Sequence, residues 1–115
     1  MRPAKFRGAV IEGHKGVVAL VVPFDPRAVW ELEPIALAGR RHGWPVVGRI
    51  GRKRFTGYIG ERWGRFFVML DAAALGVRPG DTLSVSLEPT RDAEVIAAAV
   101  AQSRATTQPR KARKL

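Results

Sequence analysis

The stretch Val77-Arg78-Pro79-Gly80-Asp81-Thr82-Leu83-Ser84-Val85-Ser86-Leu87-Glu88-Pro89 decides the fold. Pro79 presets φ and Gly80 accepts φ > 0, so the pair makes a tight turn, and the Asp81 carboxylate can accept from the turn backbone. Leu83, Val85 and Leu87 then alternate with Thr82, Ser84, Ser86 and Glu88. That is the period of a strand with one buried and one wet face. Such a strand needs partners.

The other apolar runs supply them. Lys5–Glu12 reads as a strand, with Phe6, Gly8 and Val10 on one face, and Gly13–Gly16 as a hairpin turn. Gly16–Val22 is apolar on both faces and belongs in the middle of the sheet. After Pro23, Asp25 caps a short helix whose first position is Pro26. Ala28, Val29 and Leu32 are expected to pack inward, with Trp30 covering the rim, and Ile35–Gly43 reads as a loop. Trp44–Gly51 and Lys53–Gly60 form a hairpin about Gly51-Arg52. Val46, Gly48, Ile50, Phe55, Gly57 and Ile59 face in, and Thr56 and Tyr58 face out. Glycine at regular intervals suits the sharp coiling of a barrel. Gly64–Leu70 follows an Arg62-Trp63 turn. Asp71 caps one helical turn over Ala72–Leu75, and Gly76 ends it.

The expected fold is mainly β: a small, partly open barrel of about six strands with short capping helices, over residues 1–90. A helix over 91–103 carries Val95, Ile96, Ala99 and Val100 as a thin apolar stripe. Residues 104–115 have no periodicity and are expected to be disordered.

Composition narrows the function classes. At 115 residues with 46% apolar content, the chain holds one core and folds without staples. It has no cysteine, so no disulfide framework or thiolate metal site exists. The first residues lack an apolar signal segment, and the longest apolar run, Val17–Val22, is far too short to cross a bilayer. A soluble cytoplasmic protein with no membrane partner is expected. Net charge is +10, and half of that excess sits in the acid-free 104–115 segment. A basic balance favours polyanions, although the 15 arginines against 5 lysines also fit a GC-rich genome.

The motifs stand in a specific order: KF-x-A/G-x-V from Lys5, an apolar strand ending in Pro23, V-x-G-x-I-G…F (Val46, Gly48, Ile50, Gly51, Phe55), a short helix, and GD-x-L-x-V-x-L (Gly80, Asp81, Leu83, Val85, Leu87). Over about residues 4–90 this order resembles the bacterial family called domain of unknown function 1905, grouped with YdeI/OmpD-associated bacteriocin-protection proteins. The resemblance implies a double-split β-barrel with helical caps. That architecture class includes AbrB- and MazE-type proteins, which bind DNA as homodimers. It implies no activity. The chain departs from its relatives at Ala72-Ala73-Ala74, where they tend to carry basic residues.

Catalytic sites need a positioned nucleophile, base or metal. His14 and His42 fall in loops without carboxylates at ligand spacing, and Asp71 and Asp81 are accounted for as cap and turn residues. No phosphate-binding glycine loop opens a helix. A non-enzymatic binding module without metal or cofactor is expected. Between Arg40 and Arg54 six basic residues (Arg40, Arg41, Arg49, Arg52, Lys53, Arg54) occur with no acid. A basic β-ribbon fits the major groove, Tyr58 and Trp63 could stack on unpaired bases, and Lys111 and Lys114 could add phosphate affinity. Charged tips also serve simply to keep an edge ribbon soluble. The alternative function is a small-molecule or protein-interaction domain at the barrel mouth, with a cleft lined by Trp44, Phe55 and Phe66, and with Trp30 and Trp63 nearby. Those aromatics also suit plain core filling.

Overall fold

The alternating Leu83-Ser84-Val85-Ser86-Leu87 segment forms the strand that closes the structure. The computed structural model describes residues 2–14 and 16–107. Its elements are β1 (Ala4–His14), β2 (Val17–Val22), α1 (Pro26–Val29), β3 (Ile35–Ala36), β4 (His42–Ile50), β5 (Lys53–Arg62), β6 (Arg65–Asp71), α2 (Ala72–Leu75), β7 (Thr82–Pro89) and α3 (Ala93–Thr107). Six strands close an antiparallel ring in the order β4-β5-β6-β2-β1-β7, and β7 returns to β4. The two-residue β3 lies outside the ring on β4.

One edge of β7 pairs with β1 from Ala4↔Leu87 to Ala9↔Thr82, and the other with β4 from Val46↔Pro89 to Ile50↔Val85. Val85 and Leu87 are buried, Leu83 is half-buried against the core, and Thr82, Ser84 and Glu88 are exposed. The Asp81 Oδ2 accepts from the Arg78 N–H at 3.0 Å, as the turn chemistry requires. Leu20, Val46, Ile59, Val68 and Leu87 fill the centre without solvent exposure.

Although the ring closes, its wall parts in two places. β5–β6 pairing runs from Arg62↔Arg65 only to Ile59↔Val68, so Met69–Asp71 pair with β2 alone. β1 changes partner: Ala4–Ala9 pair with β7, and from Val10 onward β1 pairs with β2. Phe24 and Trp30 close that second end, packed edge-on at 5.4 Å, and the Trp30 indole N–H donates to the Arg2 carbonyl at 3.1 Å. Trp30 is therefore core rather than rim.

The caps form where the sequence places them. Asp25 accepts from the Arg27 N–H and Asp71 from the Ala74 N–H, and Gly76 ends α2 in the left-handed region. Four expectations need correction. Ala28 and Val29 are exposed, because a single helical turn presents only Pro26 to the core. The supposed loop at Ile35–Gly43 contains β3 and buries Leu37. β1 extends through the first two residues of the expected Gly13–Gly16 turn to His14, with a register shift between Glu12 and His14. The β5–β6 turn is Trp63-Gly64, one residue later than read.

α3 starts at an Asp92 cap, whose Oδ1 accepts from the Glu94 N–H at 2.8 Å, and runs to Thr107, into the stretch expected to be disordered. It lies across the outside of β4 and β5 and buries Ala99 with Tyr58 and Leu37. Ser103 is fully buried there. Its hydroxyl accepts from the Ala38 N–H at 3.0 Å and donates to the Val100 carbonyl at 2.8 Å. Ser103→Ala leaves the Ala38 N–H without that partner, and denaturant unfolding should show a loss of about 1–3 kcal/mol. An unchanged midpoint would mean that water replaces the hydroxyl at no cost.

Candidate nucleic-acid interface

Ile50 pairs with Lys53, so Gly51-Arg52 is a two-residue turn. Gly51 takes φ +62° as its first residue, the position a type II′ turn reserves for glycine. The register then sets Arg49 directly opposite Arg54, both exposed, with Arg52 and Lys53 exposed at the tip. Facing residues of an antiparallel pair have Cα atoms about 4.5–5.5 Å apart. Like charges directly opposite one another on an antiparallel pair are destabilising. Another arginine, Arg27, reaches Glu61 at 3.3 Å, Asp25 at 3.5 Å and Glu33 at 3.6 Å. Desolvation pulls the Arg27 pKa down, but the hydrogen bond and charge of Glu61, with Asp25 and Glu33, outweigh it and leave the pKa raised. Three of the ten acids thus gather on Arg27, while Asp71 lines a cavity together with Lys53 and Arg54 of the hairpin.

The structure divides the six-residue basic run. Arg40 and Arg41 lie in the turn between β3 and β4, where the Leu37 N–H donates to the Arg41 carbonyl at 2.8 Å. The β4 strand separates them from Arg49, Arg52, Lys53 and Arg54, roughly 25–30 Å away at the usual rise per residue. One contiguous patch does not form. Lys111 and Lys114 lie outside the described residues.

A second arginine pair, not recognised in the sequence, sits at the other end of β5. Arg62 faces Arg65 across the β5–β6 hairpin. Trp63 and Gly64 both take positive φ, +54° and +75°, the requirement of a type I′ turn. Trp63 is 89% exposed, and the Arg62 guanidinium lies 5.2 Å from its ring centroid. The Trp-Gly dipeptide was the only available signal, because this turn usually selects Asn-Gly or Asp-Gly.

The aromatic cleft is corrected. Trp44 is buried, packs edge-on against Phe66 at 5.9 Å, and donates its indole N–H to the Leu32 carbonyl at 2.9 Å. Phe66 is core, and Phe55 packs half-buried against the same core while covering Gly48, where a Cβ would stand 2.2 Å from the ring. These three rings face into a barrel too small to leave them a shared cleft. Tyr58 does point outward, but it packs with Ala99 of α3 and is 7% exposed at the border of the outer groove.

His42 is exposed, with Nδ1 3.2 Å from the Arg40 carbonyl. Among the described residues, no group of three acids or histidines stands close enough to hold a metal ion. Where β5 and β6 part, Lys53, Phe55, Leu70, Asp71 and Leu75 line a cavity of about 460 Å³. Among the described residues, no helix is long and apolar enough to cross a membrane. No family model matches the chain, and no curated protein is similar to it.

Arg54→Glu converts the like-charge contact with Arg49 into a cross-strand ion pair. It should stabilise the fold by roughly 0.5–1 kcal/mol in low-salt urea denaturation, with the gain shrinking as salt rises. A destabilised variant would mean that Arg54 makes a structural contact that outweighs the repulsion.

Proposed function

We propose that the protein is a non-enzymatic nucleic-acid-binding module whose affinity is driven by charge at the β4–β5 hairpin. One observation carries the reading: Arg49, Arg52, Lys53 and Arg54 share one exposed ribbon end, two of them directly opposed, while Asp25, Glu33 and Glu61 gather around Arg27. A bound phosphate backbone supplies the negative charge that removes the repulsion, and displaced counterions provide the driving force. β7 runs beside β4 as far as Ile50, so the cationic end belongs to the barrel wall, and its arginines can meet phosphates along a duplex backbone. Kinship with domain of unknown function 1905, suggested by the motif order, is part of this proposal and is compatible with a binding rather than a catalytic role.

The test is a titration of labelled duplex DNA at several salt concentrations. Four phosphate contacts imply a log–log salt slope of about −3.6 for duplex DNA. Replacing Arg52, Lys53 and Arg54 with serine should bring the slope to about −1 and weaken binding across all sequences alike. Undetectable binding at low salt, or an unaffected triple variant, would overturn the proposal.

A further inference from the structure

Trp63 combines two costs that folding alone does not explain. A non-glycine residue at φ +54° is strained, and a tryptophan 89% exposed gives up the burial its ring could gain. It stands at the edge of an open concave groove of about 1010 Å³ on the outer surface of the barrel. Phe67 and Met69 line that groove from β6, both half-buried. Phe67 faces Gly60 across the strands, so the neighbouring position on β5 carries no side chain. Arg62 and the Arg40-Arg41 turn line the same groove. Two carboxylates also line it: Glu61, which Arg27 holds, and Glu12, on β1 three strands away from β5.

Aromatic and thioether surface flanked by guanidinium groups, on the wet face of a sheet, matches what unpaired nucleotides require: ring faces for bases and cations for phosphates. Duplex DNA hides its base faces and gains nothing from Trp63. A bilayer is flat and could touch the protruding indole but not Phe67 and Met69 within the groove. We infer that this face binds single-stranded nucleic acid, with a base stacked on Trp63, a second over Phe67, and Arg62, Arg40 and Arg41 meeting the phosphates. The inference rests on the nucleic-acid reading above and deepens it by naming an unpaired strand as the substrate at a second surface.

The exposed ring dominates the readout, because Trp30 is buried away from the groove and Trp44, which borders it, is only 3% exposed. Titrating the full chain with oligo(dT) at low salt should quench tryptophan emission, and an equal concentration of duplex should do so far less. The informative variant is Trp63→Asn, which gives the turn the Asn-Gly pair it favours and so should raise the melting temperature by a few degrees. The same variant should lose about tenfold or more in oligo(dT) affinity, the size of one lost base stack, while duplex affinity stays within twofold. Unchanged oligo(dT) affinity in Trp63→Asn overturns the stacking site and leaves the hairpin reading standing. Loss of duplex binding in the triple serine hairpin variant, with oligo(dT) quenching retained, supports two separate surfaces. Absence of any nucleic-acid binding, with Trp63 emission responding only to phosphatidylserine vesicles, overturns both.

Discussion

The double pairing of β7 is the constraint on which the rest depends. One strand satisfies β1 along one edge and β4 along the other, which turns a run of hairpins into a ring. Closure removes the two free edges that a flat sheet of these strands would present, apart from the stretches where β5 parts from β6 and β1 changes partner. It also fixes the direction of every outward residue, since a one-residue slip on either edge would exchange Val85 and Leu87 with Ser84 and Ser86. With β4 held between β5 and β7 as far as Ile50, the Gly51-Arg52 turn sits at the rim of the wall, and Arg49 and Arg54 are held opposite one another.

Charge is distributed on this frame unevenly. Arg27 gathers Asp25, Glu33 and Glu61 and lies 5.0 Å over the Trp44 ring, tying α1 and the segment after it to β5. That arginine is structural. The arginines at the two ends of β5 are arranged in the opposite way, cation facing cation across each hairpin. One strand about 30 Å long at the usual rise therefore carries a cationic site at each end. Helix α3 covers the outer surface of β4 and β5 and leaves the outer face running from β5 through β6 and β2 open to solvent. The two proposed surfaces are different in kind: a charged ribbon suited to phosphates, and a groove with ring faces suited to bases.

Much of the fold was legible because its signals are local. The alternation in Thr82–Glu88, the Asp25 and Asp71 caps and the Gly51-Arg52 turn each depend on a few adjacent residues, and each formed as read. What was not legible depends on distant partners. Alternation identified Tyr58 as outward but could not say that α3 would lie over it. Ile35-Ala36 has no period of its own and is a strand only because β4 offers an edge. Four residues of α1 are too few for a helical stripe to show which side is buried. The basic run misled for the same reason: neighbours in sequence along an extended strand become far apart in space, so Arg40 and Arg52 sit at opposite ends of β4. Trp63 is legible as a ring, but its left-handed turn and its paired arginines depend on the register.

The three indole N–H groups provide the most direct measurement. Trp30 and Trp44 donate theirs to the carbonyls of Arg2 and Leu32 inside the fold, and Trp63 stands in solvent. In an amide and indole NMR titration with a short single-stranded oligonucleotide, the Trp63 indole and the backbone of Arg62–Phe67 and Arg40–Arg41 should shift together, while the Trp30 and Trp44 indoles stay in place. Shifts confined to α3 and the β1–β7 face, or no shift at the Trp63 indole at saturating oligonucleotide, would contradict the assignment.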